Sequence, residues 1–128
     1  MTILVYEEDR RFRDRLVELL HDGACTVVTP ESFAEAADVA LRQPFDVILC
    51  DYWMEEIDGL AFFQILKQQQ PKAVKVLVAG YPIRATPSDI QGAGIHYVIP
   101  RPAVFKFLDM LKHTLAESPA RPGQSAVH

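Results

Sequence analysis

The feature that most constrains this chain is a set of short runs that are apolar without alternating with polar residues, each followed by a stretch of helical periodicity. Ile3-Leu4-Val5-Tyr6 and Val47-Ile48-Leu49-Cys50 are the purest, and residues 25–28, 74–79 and 95–99 are further strand candidates. A strand with one wet face alternates; a strand apolar on both sides needs cover above and below. The intervening segments supply that cover. Phe12, Leu16, Leu19 and Leu20 fall on one helical face, as do Phe33, Ala36, Ala37, Ala40 and Leu41, with Ser32 as a cap. Leu60, Phe63 and Leu66 form a third stripe, and Val104, Leu108, Leu111 and Leu115 a last one. Five strands alternating with helices predict an α/β fold, a doubly wound parallel sheet with right-handed crossovers. Its functional crevice lies beyond the carboxyl ends of the strands.

The fourth helix is the weak element, because Pro82, Pro87, Gly92 and Gly94 leave room for barely two turns. Thr86-Pro87-Ser88-Asp89 is nevertheless a sound start: cap, proline at the first helical position, acid in the first turn. With 128 residues, 49% of them hydrophobic, the chain supports one core, predicted over residues 1–117. Residues 118–128 lose all hydrophobic period and read as a flexible tail or linker stub. A net charge of −4 gives no footing for direct nucleic-acid binding. No apolar run approaches the roughly 20 residues that span a bilayer, and Met-Thr-Ile-Leu-Val-Tyr is unlike a signal peptide, so a cytoplasmic chain with no membrane partner is expected. His21, His96, His113 and His128 are scattered, and Cys25 and Cys50 form no CxxC, which leaves no zinc pattern.

Charge is crowded where the fold keeps its chemistry. Glu7 and Glu8 follow the first strand and Asp51 ends the third. Carboxylates converging at one sheet edge repel unless neutralised, and Mg2+ takes one or two carboxylates plus water. With that ion bound, Asp51 becomes a nucleophile toward phosphorus. On charge alone a second reading stands beside it, in which the three acids are ordinary polar ends of buried strands.

The residues also resemble a known family, the receiver domains of bacterial two-component response regulators. ILVYEED resembles that family's ILIVDD start, DVILCDYWMEEIDGL its DLVLLDxxMPxxDGL, and AGIHYVIPRP its AGAxxYLxKP, in order and over nearly the whole folded part. The resemblance implies a flavodoxin-like, CheY-like sheet of order 2-1-3-4-5. It implies that Asp51 is the phosphoacceptor, that Glu7, Glu8, Asp51 and the backbone carbonyl of Trp53 bind Mg2+, and that Arg101 stands in for the phosphate-contacting lysine. Met54, Asp58 and Gly59 match the loop that follows, Gly59 permitting a tight turn into the third helix. Pro102 matches a proline whose preceding peptide is usually cis.

Departures accompany the match. The acidic pair is Glu-Glu, one methylene longer on each side; Glu55 replaces a proline; Ala79 lacks the hydroxyl of the family's Thr or Ser; Arg101 replaces lysine, a swap that changes reach and geometry. Val98 takes the place of the switch aromatic, with Tyr97 one residue early and so facing the other way unless a bulge intervenes.

The expected function is two-component phosphorelay signalling. A histidine kinase or phosphotransfer protein loads Asp51, and a downstream output domain or protein responds. Trp53 and Tyr81 are expected to hinder the attacking water and lengthen the life of the phosphoryl group. The alternative is a pseudo-receiver, an interaction module independent of phosphorylation. A freestanding enzyme is not expected. Phosphatases of the haloacid-dehalogenase type need a second Asp where Trp53 stands, and the nucleotide, dinucleotide and hydrolase motifs are missing.

Overall fold

The computed structural model describes residues 1–21, 25–80 and 82–117, with side chains in the last helix as far as residue 114. The expected tail, 118–128, and Tyr81 lie outside the described residues. In chain order the elements are β1 (Thr2–Tyr6), α1 (Arg10–Leu20), β2 (Thr26–Val28), α2 (Phe33–Arg42), β3 (Val47–Asp51), α3 (Gly59–Leu66), β4 (Val74–Ala79), α4 (Pro87–Gly92), β5 (Tyr97–Pro100) and α5 (Val104–Glu117). A single 3-10 turn, Arg101–Ala103, joins β5 to α5.

All strand pairs are parallel and the sheet order is β2-β1-β3-β4-β5. The non-alternating strands serve two cores. Ile3, Val5, Val47, Leu49, Val76 and Val78 face Phe12, Leu16 and Leu20 of α1 and Val104 and Leu108 of α5. Their neighbours Leu4, Tyr6, Ile48, Cys50 and Leu77 face Ala36 and Ala40 of α2 and Phe62, Phe63 and Leu66 of α3. Each buried Val, Leu, Ile or Phe among them contributes roughly 1.5–3 kcal/mol by leaving water, so the two-faced pattern is what holds the sheet between its helices. Among the described stripe residues Leu41 overreached: it is 68% exposed, one residue before α2 ends at Arg42.

Caps set where the helices begin. Asp9 accepts from the Phe12 amide, Asp58 from Ala61 and Ser32 from Glu35. Thr86 and Asp89 bond reciprocally to each other's backbone amides, which rescues the short α4.

At the amino-terminal edge of the strands a buried polar knot closes the sheet. Gln70 accepts from the Phe45 amide at 3.1 Å and donates to the carbonyls of Ala40 and Gln43 at 2.7 and 2.8 Å. The buried Lys75 donates to the Gln70 carbonyl, and the Lys75 amide donates to His96 Nδ1 at 2.9 Å. At the other edge, the chain order reverses between β1 and its neighbours β2 and β3, so the loops after β1 and β3 leave toward opposite faces. That opens a crevice.

Candidate functional site

Glu7, Glu8, Asp51, Trp53, Gly80 and Arg101 line one cavity of about 400 Å³ at this crevice, together with Asp9. Five of the six sequence-expected positions therefore meet. Ala79, the sixth, ends β4 beside Gly80 but is not among the lining residues.

Asp51 is the last residue of the fully buried β3 and is itself only 5% exposed. Its Oδ2 lies 3.3 Å from Arg101 Nη1, while Oδ1 is buried with no hydrogen-bond partner. Burial pushes this carboxyl above its ordinary value, against the pull of the Arg101 charge and the nearby Trp53 and Tyr52 amides. Glu7, 1% exposed, accepts from the Asp9 amide at 3.0 Å. Its other oxygen is 3.5 Å from Arg101 Nη1, an ionic contact too long to be a strong hydrogen bond. Burial, partly offset by the Asp9 amide, raises its pKa to about 7.

Glu8, Glu56 and Asp58 also bond the backbone. Both oxygens of Glu8 sit 3.0 Å from the Glu55 amide, fastening the β3–α3 loop to the end of β1. Glu56 accepts from the Phe33 amide at 2.9 Å and so caps α2 from that same loop. Asp58 caps α3. Much of the negative charge that crowds residues 55–58 is helix and loop chemistry.

Arg101 is the cation of the site. Besides Glu7 and Asp51 it reaches Asp9 Oδ2 at 3.0 Å, and its guanidinium lies 3.9 Å from the centre of the Phe12 ring. Asp9 and Phe12 were missed in the sequence. The signal for Asp9 was present, as the third acid of the run and the residue before α1.

Among the described residues no three His, Cys, Asp or Glu side chains already close around one point as a metal site. The donors nonetheless fit a hard divalent cation. They are oxygens only, their residues line one cavity, and Asp51 among them has a buried Oδ1 with no hydrogen-bond partner.

Two local expectations change, and the one on Tyr97 holds. No peptide bond among the described residues is cis, so the one before Pro102 is trans. Gly59 has no positive φ, and its role is room: a Cβ there would stand 2.5 Å from Leu77 Cδ1 and 2.6 Å from the Asp51 carbonyl oxygen. β5 runs from Tyr97 to Pro100, and its register against β4 is continuous, with no bulge. Tyr97 accordingly faces α5, its ring 5.0 Å from that of Phe107, while Val98 faces α4.

The model of the response regulator receiver domain matches residues 3–110. The chain belongs to this family. The hydrogenase transcriptional regulatory protein HoxA of Cupriavidus necator is 34% identical to it over 108 residues, covering 80% of this chain and 21% of HoxA. A CheY-like receiver domain protein from Methanospirillum hungatei superposes with a TM-score of 0.79 at 20% identity, covering 91% of this chain and 94% of that one. A response regulator from Burkholderia pseudomallei, solved with a phosphorylated aspartic acid, calcium ion and citrate, superposes at 0.75 with 21% identity, covering 94% and 76%. These two likenesses carry the fold. This receiver domain spans less than half the length of the first curated relatives it matches, 21%, 45% and 23%. Among the described residues no helix is long and apolar enough to cross a membrane.

Proposed function

We propose that this receiver domain accepts a phosphoryl group on Asp51 from a histidine kinase or phosphotransfer protein and passes the signal to a downstream output domain or protein. The observation that carries the reading is Asp51 itself, which lines one cavity with Glu7, Glu8 and Arg101 while its buried Oδ1 has no hydrogen-bond partner. A carboxylate oxygen of Asp51 attacks phosphorus, the bond from phosphorus to the donor's histidine nitrogen breaks, and an acyl phosphate forms. Glu7, Glu8, Asp51 and the Trp53 carbonyl are the groups that would hold Mg2+, which supplies positive charge to the acids and the phosphoryl oxygens. Arg101 offers a two-pronged donor to those oxygens. The burial of Asp51 keeps the nucleophile poorly hydrated, and Trp53, 43% exposed on the cavity wall, stands in the way of attacking water. The phosphoryl group is therefore long-lived. Ala79 can give it no hydrogen bond, so the response runs without the hydroxyl that the family uses. The phosphorylated aspartic acid of the Burkholderia pseudomallei relative supports this chemistry on the same fold.

The test is to incubate the protein with Mg2+ and acetyl phosphate and read its mass. One added phosphoryl group is expected, absent in Asp51→Asn. A phosphorylation-independent pseudo-receiver is favoured by the ion pairs that Arg101 already makes with Glu7, Asp9 and Asp51. Failure to load from either acetyl phosphate or a phosphorylated donor protein would select that reading.

A further inference from the structure

The Arg101 guanidinium is seated from four sides. The face of Phe12 lies 3.9 Å from it. Asp9 Oδ2 holds Nη2 at 3.0 Å, and Nη1 lies 3.3 Å from Asp51 Oδ2 and 3.5 Å from Glu7 Oε1. Gly80 leaves the space for the stem: a Cβ on that residue would come within 3.2 Å of Arg101 Cδ. The contacts are uneven. The tight one and the ring are on the α1 side, and the two loose ones are on the acids of the cavity.

We propose that Arg101 is the resident counter-ion of this site, held by Asp9 and Phe12, and that it and a divalent cation exclude each other at Glu7 and Asp51. The proposal rests on the metal reading given above and adds what this chain's own residues do to it. Two positive charges a few ångströms apart in a half-buried cavity repel strongly, because water screens them poorly there. Cation entry therefore requires the guanidinium to leave Asp51 and Glu7. It keeps Asp9 and the Phe12 ring, so it pivots about the start of α1 instead of swinging free. Asp9 is then a positioning residue. It caps α1 through Oδ1 while Oδ2 holds the pivot, which ties occupancy of the cavity to the α1 amino terminus. Lysine, a single point charge without a planar fork, would fill this seat less completely.

Trp53 lines the cavity and is the one tryptophan of the sequence, so its fluorescence reports cation entry. Mg2+ and Mn2+ are titrated into the wild type, Arg101→Gln, Arg101→Lys and Arg13→Gln. Arg13 is the control for nearby charge, since it contacts the Glu7 backbone carbonyl at 3.4 Å and no cavity carboxylate. Arg101→Gln is expected to bind at least about tenfold more tightly than wild type, Arg101→Lys in between, and Arg13→Gln within about twofold. Without cation, Arg101→Gln melts below wild type, and saturating Mg2+ raises its melting temperature far more than that of wild type. Equal affinity in wild type and Arg101→Gln, or equal tightening by Arg13→Gln, overturns the exclusion and leaves the metal reading intact. If no protein of the series binds either ion, the metal reading itself falls, and this inference with it.

Discussion

The two ends of the sheet handle buried polar groups in opposite ways. At the amino-terminal edge Gln70 uses both its side-chain oxygen and its nitrogen, and Lys75 finds the Gln70 carbonyl. At the carboxyl-terminal edge Asp51 keeps one oxygen unpartnered, and burial pushes Glu7 up to about 7. A satisfied polar knot stabilises and fixes a structure; a partly satisfied one is a cost that persists where a ligand or a reaction uses it. One edge of this sheet has its polar groups paired, and the other leaves one unpaired.

That contrast can be broken most forcefully at Gln70. Gln70→Ala leaves the Phe45 amide and the Ala40 and Gln43 carbonyls without partners, and about 3 kcal/mol of stability is expected to go in urea unfolding. Phosphoryl loading of the fraction that remains folded should be unchanged. A loss under about 1 kcal/mol would mean that the amino-terminal edge is not the clamp.

Gly59→Ala sharpens the comparison from the other edge. The added methyl meets Leu77 and the Asp51 carbonyl, so about 2 kcal/mol is expected to be lost. Here loading should fall as well, because the strain lands on the backbone of Asp51 itself. Unimpaired loading would show that Asp51 tolerates movement of α3.

Asp51→Asn should cost less than about 1 kcal/mol, since it removes an ion pair together with the penalty of a buried charge. A large loss would recast Asp51 as structural.

The smallest effect is pH-dependent. Partial desolvation, helped by the Lys75 charge, lowers the pKa of the exposed His96, whose neutral ring accepts from the Lys75 amide. The unfolded chain then binds this proton more readily than the folded one. The contribution is full above pH about 6.5 and is lost as pH falls through the lower, folded value. His96→Asn should flatten the fall in urea midpoint between pH 7.5 and 5.5, and an unchanged slope would remove His96 from the knot.

These regions also differ in how far the sequence displayed them. Apolar runs such as residues 3–6 and 47–50 gave the buried parallel sheet, because burial on both faces forces a non-alternating pattern that few other folds permit. That Asp51, Glu7, Glu8, Trp53 and Arg101 meet at one cavity was legible from their places at strand ends and in the receiver motifs. Asp9 was hidden by its second role as a cap, and Phe12 because an aromatic on a helix stripe reads as core. That Glu8 and Glu56 serve amides of distant loops could not be read from charge, since hydrogen bonds across 47 and 23 residues leave no local mark. Gln70 was invisible for the same reason: nothing in a glutamine announces that it is buried.

The central claim is that Asp51 is the nucleophile. Borohydride reduces an acyl phosphate to the alcohol, so protein loaded with acetyl phosphate and Mg2+ is reduced, digested and sequenced by mass spectrometry. The expected result is homoserine at position 51 and unmodified side chains at Glu7, Glu8 and Asp9. Reduction at any of those three, or an intact aspartate at 51 in protein that carries phosphate, would contradict it.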